Sequence, residues 1–399
     1  TAMQYLCAHI SAGVMLATVG CGAFGAAPTF AQNQTLNTRI GMIELQSDYP
    51  SDASVQKLYD ELDFQRAVQA YIWATPLVAT EARRVANQRD WGVGFNTVGI
   101  NDAYTTPSLK TLTADNTTIY AVVIVDLKQD GPVVLDIPAG AYGVIDDFWQ
   151  RPVGEVGPGG PDKGKGGKVL LLPPSYTGQV PAGYLPARSL TNRLICVVQG
   201  FVKNGDVKAA GDALARLRVY PLSQAAKPPQ TVVVRGGGKP MDAIPPRGYG
   251  YWELLAEAIN HDPVEPRDRF FHAMLKPLGI EKGKPFNPDA RQKKILTEAA
   301  AVGFRMAQVL SAAPRLSQAA RYPGTRWAWV LTLNPDQEAE QYSQLDERTD
   351  YTFEAWSVAA GMIKPLIGAG AQSMSTAKDK SGAWLDGGKR REVSAAEAL

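Results

Sequence analysis

The sequence contains little histidine, little cysteine and almost no excess charge, and each shortage argues against a class of protein. It has three histidines in 399 residues and no His-x-x-x-His or Cys-x-x-Cys pair, so we expect no metal site. Lys and Arg total 41 against 39 Asp and Glu. The resulting net charge of +2 gives no support for a nucleic-acid partner.

The first 31 residues contain no Asp, Glu, Lys or Arg. A small apolar run at 10–27 is followed by Thr29-Phe30-Ala31, so we expect a secretory leader cleaved near Ala31. This run is short and rich in Gly and Ala, whereas a stable membrane span needs about 20 strongly apolar residues. A lipoprotein signal through Cys21 is the alternative, although Thr18 stands where such signals usually have Leu. The prediction is a periplasmic or secreted protein with no membrane span after leader removal.

Removal of the leader would leave Cys196 as the remaining cysteine, so no internal disulfide could form. Cys196 lies in the apolar run 194–198. A nucleophilic role is one interpretation, but a free cysteine among aliphatic residues is more typical of a small buried hydrophobic side chain.

Apolar residues recur at helical spacing over 54–86, and Pro76 predicts a break between two helices. Short β-branched or aromatic runs then predict strands at 119–125, 133–137, 142–148, 169–172 and 194–202. The run 121–125 is apolar on both faces, so this strand should lie between two layers.

Helical patterns return in the second half of the chain. Asp206 is predicted to cap a helix through residue 218, and Asn287 with Pro288 to begin a helix that runs to residue 310. The other predicted elements are helices at 252–259, 267–275 and 350–362 and a strand at 327–333.

These elements predict a mainly β fold with helical additions (α+β), built on an antiparallel β-sandwich or jelly-roll-like domain. The predicted parts are a leader at 1–31, a β-rich domain at 32–245, a helical connector at 246–321 and the start of a second β domain at 322–399. Trp384 and the turn chemistry at 386–389 lack a returning strand, which predicts a truncated domain with an aggregation-prone edge.

Residues 157–168 place three lysines and one acid among glycines, directly before an apolar strand. Backbone N–H groups and ammonium charges in such a loop can bind an anion, and a solvated cationic loop is the alternative. Gly159, Gly164 and Lys165 have P-loop spacing, but Gly166 stands where Ser or Thr must reach a metal ion. We therefore expect no nucleotide and no other cofactor.

The candidate ligand-binding residues are Asp162, Lys163, Lys165, Lys168, Trp149 and Tyr120. Both aromatic residues also fit a core position. Alternation in 143–149 directs Asp146 and Asp147 to opposite faces of a strand. Asp147 beside Lys163 or Lys165 could form an acid/base couple, which is the basis of an enzymatic alternative.

Several segments resemble the bacterial domain of unknown function 1254. The resemblance rests on residues 126–127, 131–134, 157–174, 220–222, 267–269 and 275–286, and extends from about Asp63 to Arg315. Residues 327–389 resemble the start of the partner domain of unknown function 1214, which normally continues further. The resemblance implies an exported bacterial protein built from β-sandwich or jelly-roll units, and it implies no reaction.

The sequence thus predicts an exported bacterial envelope protein that binds a small anionic or polar ligand or serves in assembly. A hydrolase or lyase that uses an Asp/Lys couple is the alternative. A homo-oligomer is compatible with the sequence.

Overall fold

The computed structural model describes residues 33–104, 108–111, 118–315, 324–325, 327–329, 334–355, 374–375, 378–379 and 381–384. The chain divides into two compact units, Thr1–Tyr59 and Asp60–Leu399. The predicted leader at 1–31 and the predicted turn at 386–389 lie outside the described residues.

The first unit contains a small antiparallel sheet that the sequence analysis did not predict. Its strands are β1 (Gln34–Thr38), β2 (Gly41–Gln46) and β3 (Tyr49–Pro50), in that order. The sheet is followed by the start of helix α1 (Asp52–Ala86), where the Ser54 hydroxyl accepts a hydrogen bond from the Glu44 N–H at 2.8 Å.

Helix α1 continues through Pro76 for 35 residues, so the prediction of two helices is wrong. Proline cannot donate the usual helical hydrogen bond, and its ring crowds the carbonyl four residues earlier. In this helix the carbonyl of Tyr71 accepts from the Tyr251 hydroxyl at 2.8 Å, and the carbonyl of Trp73 accepts from Arg348 at 2.5 Å. The carbonyl deprived of its helical donor is that of Ile72, and the Thr349 hydroxyl lies 3.3 Å from it.

The second unit contains a six-stranded sheet with the order β14-β4-β6-β12-β8-β9. Its strands are β4 (Thr97–Asn101), β6 (Ile119–Asp126), β8 (Tyr142–Asp147), β9 (Pro152–Val156), β12 (Arg193–Gly200) and β14 (Val232–Arg235). Neighbouring strands are antiparallel except β4 and β14, which are parallel.

A four-stranded sheet has the order β11-β10-β7-β13. It consists of β7 (Val133–Ile137), β10 (Gly167–Leu172), β11 (Tyr184–Arg188) and β13 (Arg218–Pro221), and β10 and β11 are parallel. Shorter pairs join β5 (Leu109–Lys110) to β15 (Met241–Asp242) and β16 (Ala328–Trp329) to β17 (Met374–Ser375). The sheets are thus mixed: the predicted antiparallel arrangement holds for most neighbouring strands, but β4 with β14, β10 with β11 and β5 with β15 are parallel.

Two hydrophobic clusters lie on opposite faces of the six-stranded sheet. Val123 of β6 belongs to a cluster that includes Leu135 and Leu171 of the four-stranded sheet. The next residue, Ile124, belongs to a cluster shared with Trp73 of α1. Strand β6 therefore lies between two layers, which confirms that prediction from its apolar run.

The remaining helices are α2 (Leu127–Asp130), α3 (Val207–Leu214), α4 (Gly250–Ala258), α5 (Arg269–Leu275), α6 (Ala290–Ala312) and α7 (Leu345–Ala355). Asp206 caps α3 as predicted, but the helix ends at Leu214 because strand β13 begins four residues later. Asp289 caps α6 through a capping box, so the choice of Asn287 is wrong. Parts of the elements predicted at 327–333 and 350–362 lie outside the described residues.

Helices of the predicted connector pack into the same core as α1. Leu255 of α4 and Ala299 of α6 share one cluster with Trp73. The domain boundaries at 245/246 and 321/322 stay predictions.

Candidate functional site

The segment at 157–168, called here the Gly-Lys loop, consists of successive turns after β9 and the first two residues of β10. Asp162 is buried within it and accepts hydrogen bonds from the N–H groups of Gly157 at 2.7 Å and Gly166 at 3.2 Å. Lys163 adopts a left-handed conformation with φ of 50°. The Asp162 carboxylate, a predicted ligand-binding group, therefore closes the loop on itself.

The three lysines of the Gly-Lys loop are exposed. Lys163 and Lys165 lie in the turns, whereas Lys168 lies in β10, in register with Asp136 of β7. Exposed ammonium groups suit an attractive surface for anions better than a desolvated catalytic couple, whose function depends on burial.

An open cavity of about 710 Å³, called here the end cavity, lies beside this loop. The end cavity is lined by 138–141 after β7, by 199–201 at the end of β12, by Lys203, Asn204 and Asp206, by parts of α3 and by Arg216. The Gly140 N–H donates to the carbonyl of Gly164 at 3.0 Å. A Cβ atom at Gly166 would collide with the carbonyl of Ile137. The Gly-Lys loop thus packs directly on the wall of the cavity.

The charged side chains of the end cavity are mainly cationic. Lys203 and Arg216 are exposed at its rim. Asp206, the acid among the lining residues, accepts a hydrogen bond from the Ala209 N–H at 2.8 Å as the cap of α3. The lining therefore carries two cationic side chains and one carboxylate, a small net positive charge.

A polar row crosses the six-stranded sheet at the same end. Strand register aligns Asn101, Tyr120, Gln199 and Tyr142 on four neighbouring strands. Gln199 lines the cavity, and its Nε2 lies 3.5 Å from the half-buried Tyr120 hydroxyl. Tyr120, a predicted ligand-binding residue, is therefore a neighbour of a cavity residue rather than part of the lining.

Glu155 of β9 lies beneath the Gly-Lys loop. Its side chain is buried, and its Oε1 atom has no hydrogen-bond partner among the described residues. Burial, and secondarily the charge of Asp162, raise the pKa of Glu155 to about 7. This carboxyl group thus titrates near neutral pH beside the residue that closes the loop.

Asp147 and Trp149 lie at the other end of β8. Val156, the last residue of β9 before the Gly-Lys loop, pairs with Gly143 of β8. Asp147 lies four residues further along β8, about 13 Å from Gly143. The Asp147 carboxylate accepts from the side chain of Arg151 at 2.6 Å. Asp147 and the loop lysines are thus not brought together.

Trp149 is buried in the cluster shared with α1, and its ring centroid lies 5.0 Å from that of Trp73. Arg151 joins Asp147 to Glu265, with hydrogen bonds to Glu265 at 2.8 and 2.5 Å. Burial raises the pKa of Asp147, and Arg151 opposes that rise. At this end of β8, the carboxylates of Asp147 and Glu265 both pair with the guanidinium of Arg151. The three side chains form a buried ion-pair network.

The sequence did not predict the cavity residues Lys203, Arg216 and Gln199. Lys203 lies in the turn before the predicted cap Asp206, and Arg216 follows α3. The sequence shows that Lys203 and Arg216 lie near the two ends of one predicted helix. It does not show that they face the wall at 138–141, because that segment comes from a distant part of the chain.

Cys196 is fully buried, and burial raises the pKa of its thiol. This environment fits a core side chain. Within the described residues, no group of three or more His, Cys, Asp or Glu side chains is arranged to hold a metal ion.

Part of the chain matches a model of a known protein family. The family model described as "Protein of unknown function (DUF1254)" matches residues 95–221, which include the Gly-Lys loop and the end-cavity wall. The resemblance is thus confirmed over this stretch, while the likeness of 327–389 to domain 1214 stays a prediction. No functionally curated protein matches the chain significantly.

The VPA0106 protein from Vibrio parahaemolyticus, known from a crystal structure, is similar with a TM-score of 0.53 and 16% identity. The similarity covers 75% of this chain and 69% of that chain. At this level of identity, it shows a shared fold. Among the helices of the described residues, none combines the length and the apolar character needed to cross a bilayer.

Proposed function

We propose that the end cavity binds a small anionic or polar molecule. The observation that carries this proposal is the position of Lys203 and Arg216 at a cavity whose wall is hydrogen-bonded to the Gly-Lys loop. Lys163 and Lys165 would add a positive field that attracts an anion toward the cavity. Phe201, also at the cavity, offers an exposed ring for an apolar part of the ligand.

We further propose an exported bacterial envelope protein, on the basis of the uncharged first 31 residues and the cleavage pattern at Ala31. A role in envelope assembly is the other use of the same binding surface. The packing of two sheets through one hydrophobic cluster supports a sandwich, with the jelly-roll-like arrangement as its proposed form.

The enzymatic alternative receives less support from this geometry. A hydrolase or lyase mechanism would need Asp147 close to Lys163 or Lys165, yet Asp147 pairs with Arg151 at the far end of β8. Ligand binding without chemistry is therefore the function that we favour.

Calorimetric titration with inorganic phosphate and with citrate tests the proposal. We expect binding that weakens with added salt, because the charges are exposed and screened. The double variant Lys203→Ala/Arg216→Ala should bind roughly tenfold more weakly, since each exposed cation contributes on the order of 0.7 kcal/mol and about 1.4 kcal/mol corresponds to a factor of ten. Lys165→Ala should weaken binding by a smaller factor.

Lys208→Ala is the matched control, because Lys208 lies on α3 but pairs with Asp212 and does not line the cavity. It should bind like the wild-type protein. Equal affinity of the double variant and the wild type would contradict the proposal, as would the absence of binding by either anion.

A further inference from the structure

The end cavity is larger than the binding of a simple anion requires. Its volume of about 710 Å³ lies within the range of roughly 300–1,000 Å³ that is typical of sites for small organic ligands. An inorganic anion such as phosphate would fill only a small part of this space. The rest of the lining therefore indicates what else the ligand carries.

The inner surface of the end cavity is mainly apolar. Ala141, Ala210 and Leu214 line it, are at most 6% exposed and belong to the hydrophobic cluster that includes Val123 of β6. Lys203 and Arg216, in contrast, are exposed at the rim. Charge at the mouth and an apolar surface further in suit a ligand that has an anionic head and an apolar body.

Phe201 supplies an aromatic ring at the same mouth. It is 55% exposed, and its ring centroid lies 6.3 Å from that of Tyr142 on β8. The neighbouring ring supports Phe201, while more than half of the Phe201 surface stays accessible. Aromatic pairs gain stabilisation beyond the area that they bury, so an aromatic ligand would use this surface better than an aliphatic one.

The aromatic ring and one of the cations are also close along the chain. Phe201 and Lys203 both line the cavity and are two residues apart, so their Cα atoms lie at most about 7 Å from each other. A ligand whose anionic head pairs with Lys203 can therefore place a ring a few bonds away against Phe201.

The charges of the lining favour a ligand with one negative charge. Two cations, Lys203 and Arg216, are opposed by the single carboxylate of Asp206, which gives these lining residues a net charge of +1. One carboxylate balances this charge. The guanidinium of Arg216 can hold such a group through two parallel N–H donors.

We infer that the end cavity binds a monocarboxylate that carries an aromatic ring. This inference rests on the proposed function and deepens it by naming the class of ligand. The carboxylate lies at the rim with Lys203 and Arg216, and the ring lies between Phe201 and the apolar inner surface.

Calorimetric titration of the full chain with acetate, 3-phenylpropionate and 3-cyclohexylpropionate tests this inference. All three carry one carboxylate, so the ratios of their affinities report on the apolar part of the ligand. We expect 3-phenylpropionate to bind at least about tenfold more tightly than acetate, because partial burial of a phenyl group accounts for such a factor. Its heat capacity change of binding should also be more negative, since it buries more apolar surface.

Phe201→Leu tests the aromatic contact. Because Phe201 is exposed, leucine at this position should leave the fold intact. This variant should weaken the binding of 3-phenylpropionate about threefold more than that of its saturated counterpart 3-cyclohexylpropionate. Phe270→Leu is the matched control, since Phe270 on α5 is also exposed and its ring packs on Phe271, outside the cavity lining. The control should bind all three ligands like the wild-type protein.

Ala213→Leu tests the space available to the ring. Ala213 is half-buried on α3 and lines the cavity, so a leucine there should occupy part of that space. The ratio of 3-phenylpropionate affinity to acetate affinity should therefore fall. Ala301→Leu adds the same side chain at an exposed position of α6 and should keep the wild-type ratio.

Three results would overturn the inference. They are a ratio near one in the wild-type protein, a ratio that Ala213→Leu leaves unchanged, and equal effects of Phe201→Leu on the aromatic ligand and its saturated counterpart. If phosphate and citrate still bind through Lys203 and Arg216 in that case, the proposed function stands without this inference. If no anion binds, both fail.

Discussion

At the scale of single residues, Glu155 makes stability depend on pH. Its pKa of about 7 in the folded protein lies above the value of about 4.3 expected in the unfolded chain. Between these values the folded state binds more protons, so the free energy of unfolding should fall as pH rises from about 5 to 7. Glu155→Gln cannot ionise and should reduce this fall, measured by urea denaturation at several pH values.

Glu298→Gln serves as the control for Glu155, because Glu298 is exposed on α6. It should retain the wild-type slope of stability against pH. Identical slopes for Glu155→Gln and the wild-type protein would show that Glu155 does not titrate in this window.

Asp162 is predicted to hold the Gly-Lys loop closed. Asp162→Ala removes the acceptor for the N–H groups of Gly157 and Gly166, and we expect a loss of about 1–3 kcal/mol. Asp162→Asn keeps one carbonyl oxygen and should lose less. Urea denaturation and amide hydrogen exchange at the two glycines measure the effect, and unchanged exchange in Asp162→Ala would contradict this role.

The sequence predicted the exposed lysines of this loop but not the inward direction of the Asp162 side chain. Three lysines among glycines indicated an exposed cationic turn, and all three are exposed. Asp162 was grouped with them as a ligand-binding residue because charge alone distinguishes it from its neighbours. Its inward direction depends on positive φ values at Lys163, Gly164 and Gly166, which set the path of the loop.

At the scale of elements, the start of α6 provides a direct test of capping. The Asp289 side chain accepts from the Gln292 N–H at 2.8 Å, and the Gln292 side chain accepts from the Asp289 N–H at 2.8 Å. Asp289→Ala should therefore lower the free energy of unfolding by about 1 kcal/mol. Asn287→Ala, at the position chosen from sequence, should have little effect. Equal losses in the two variants would place the cap elsewhere.

Pro76 shows why the sequence misjudged one element. The rule that proline ends a helix assumes that the carbonyls of the preceding turn find no other donor. Here the carbonyl that Pro76 leaves without a helical donor is that of Ile72, and the Thr349 hydroxyl of α7 lies 3.3 Å from it. Tyr251 and Arg348, from α4 and α7, donate to the neighbouring carbonyls of Tyr71 and Trp73. These donors are far away in sequence, so local pattern could not reveal them.

At the scale of the whole second unit, Tyr251 links α4 to α1. Its hydroxyl donates to the Tyr71 carbonyl, and the two tyrosine rings stack with centroids 3.9 Å apart. Tyr251→Phe keeps the stacked ring and should lower the free energy of unfolding by about 1 kcal/mol. Helices α1 and α4 and the six-stranded sheet share one hydrophobic cluster, so we expect a single unfolding transition. Its midpoint should move by the same amount whether it is followed by circular dichroism or by tryptophan fluorescence.

Tyr249→Phe, also next to α4, is the control because Tyr249 is less buried and its ring packs on Phe286. Its free energy of unfolding should lie within about 0.5 kcal/mol of the wild-type value. Separate transitions by the two probes would instead indicate that the predicted connector at 246–321 unfolds as its own domain.

The sequence by itself determined the central strands, the layer on each face of β6 and the exposed cationic character of the Gly-Lys loop, because these follow from local periodicity and turn chemistry. The tertiary structure decided which strands run parallel, how α1 passes Pro76, and that Lys203 and Arg216 meet the loop while Asp147 does not. Those outcomes depend on contacts between residues far apart in the chain, where the energy of packing and hydrogen bonding outweighs local preference.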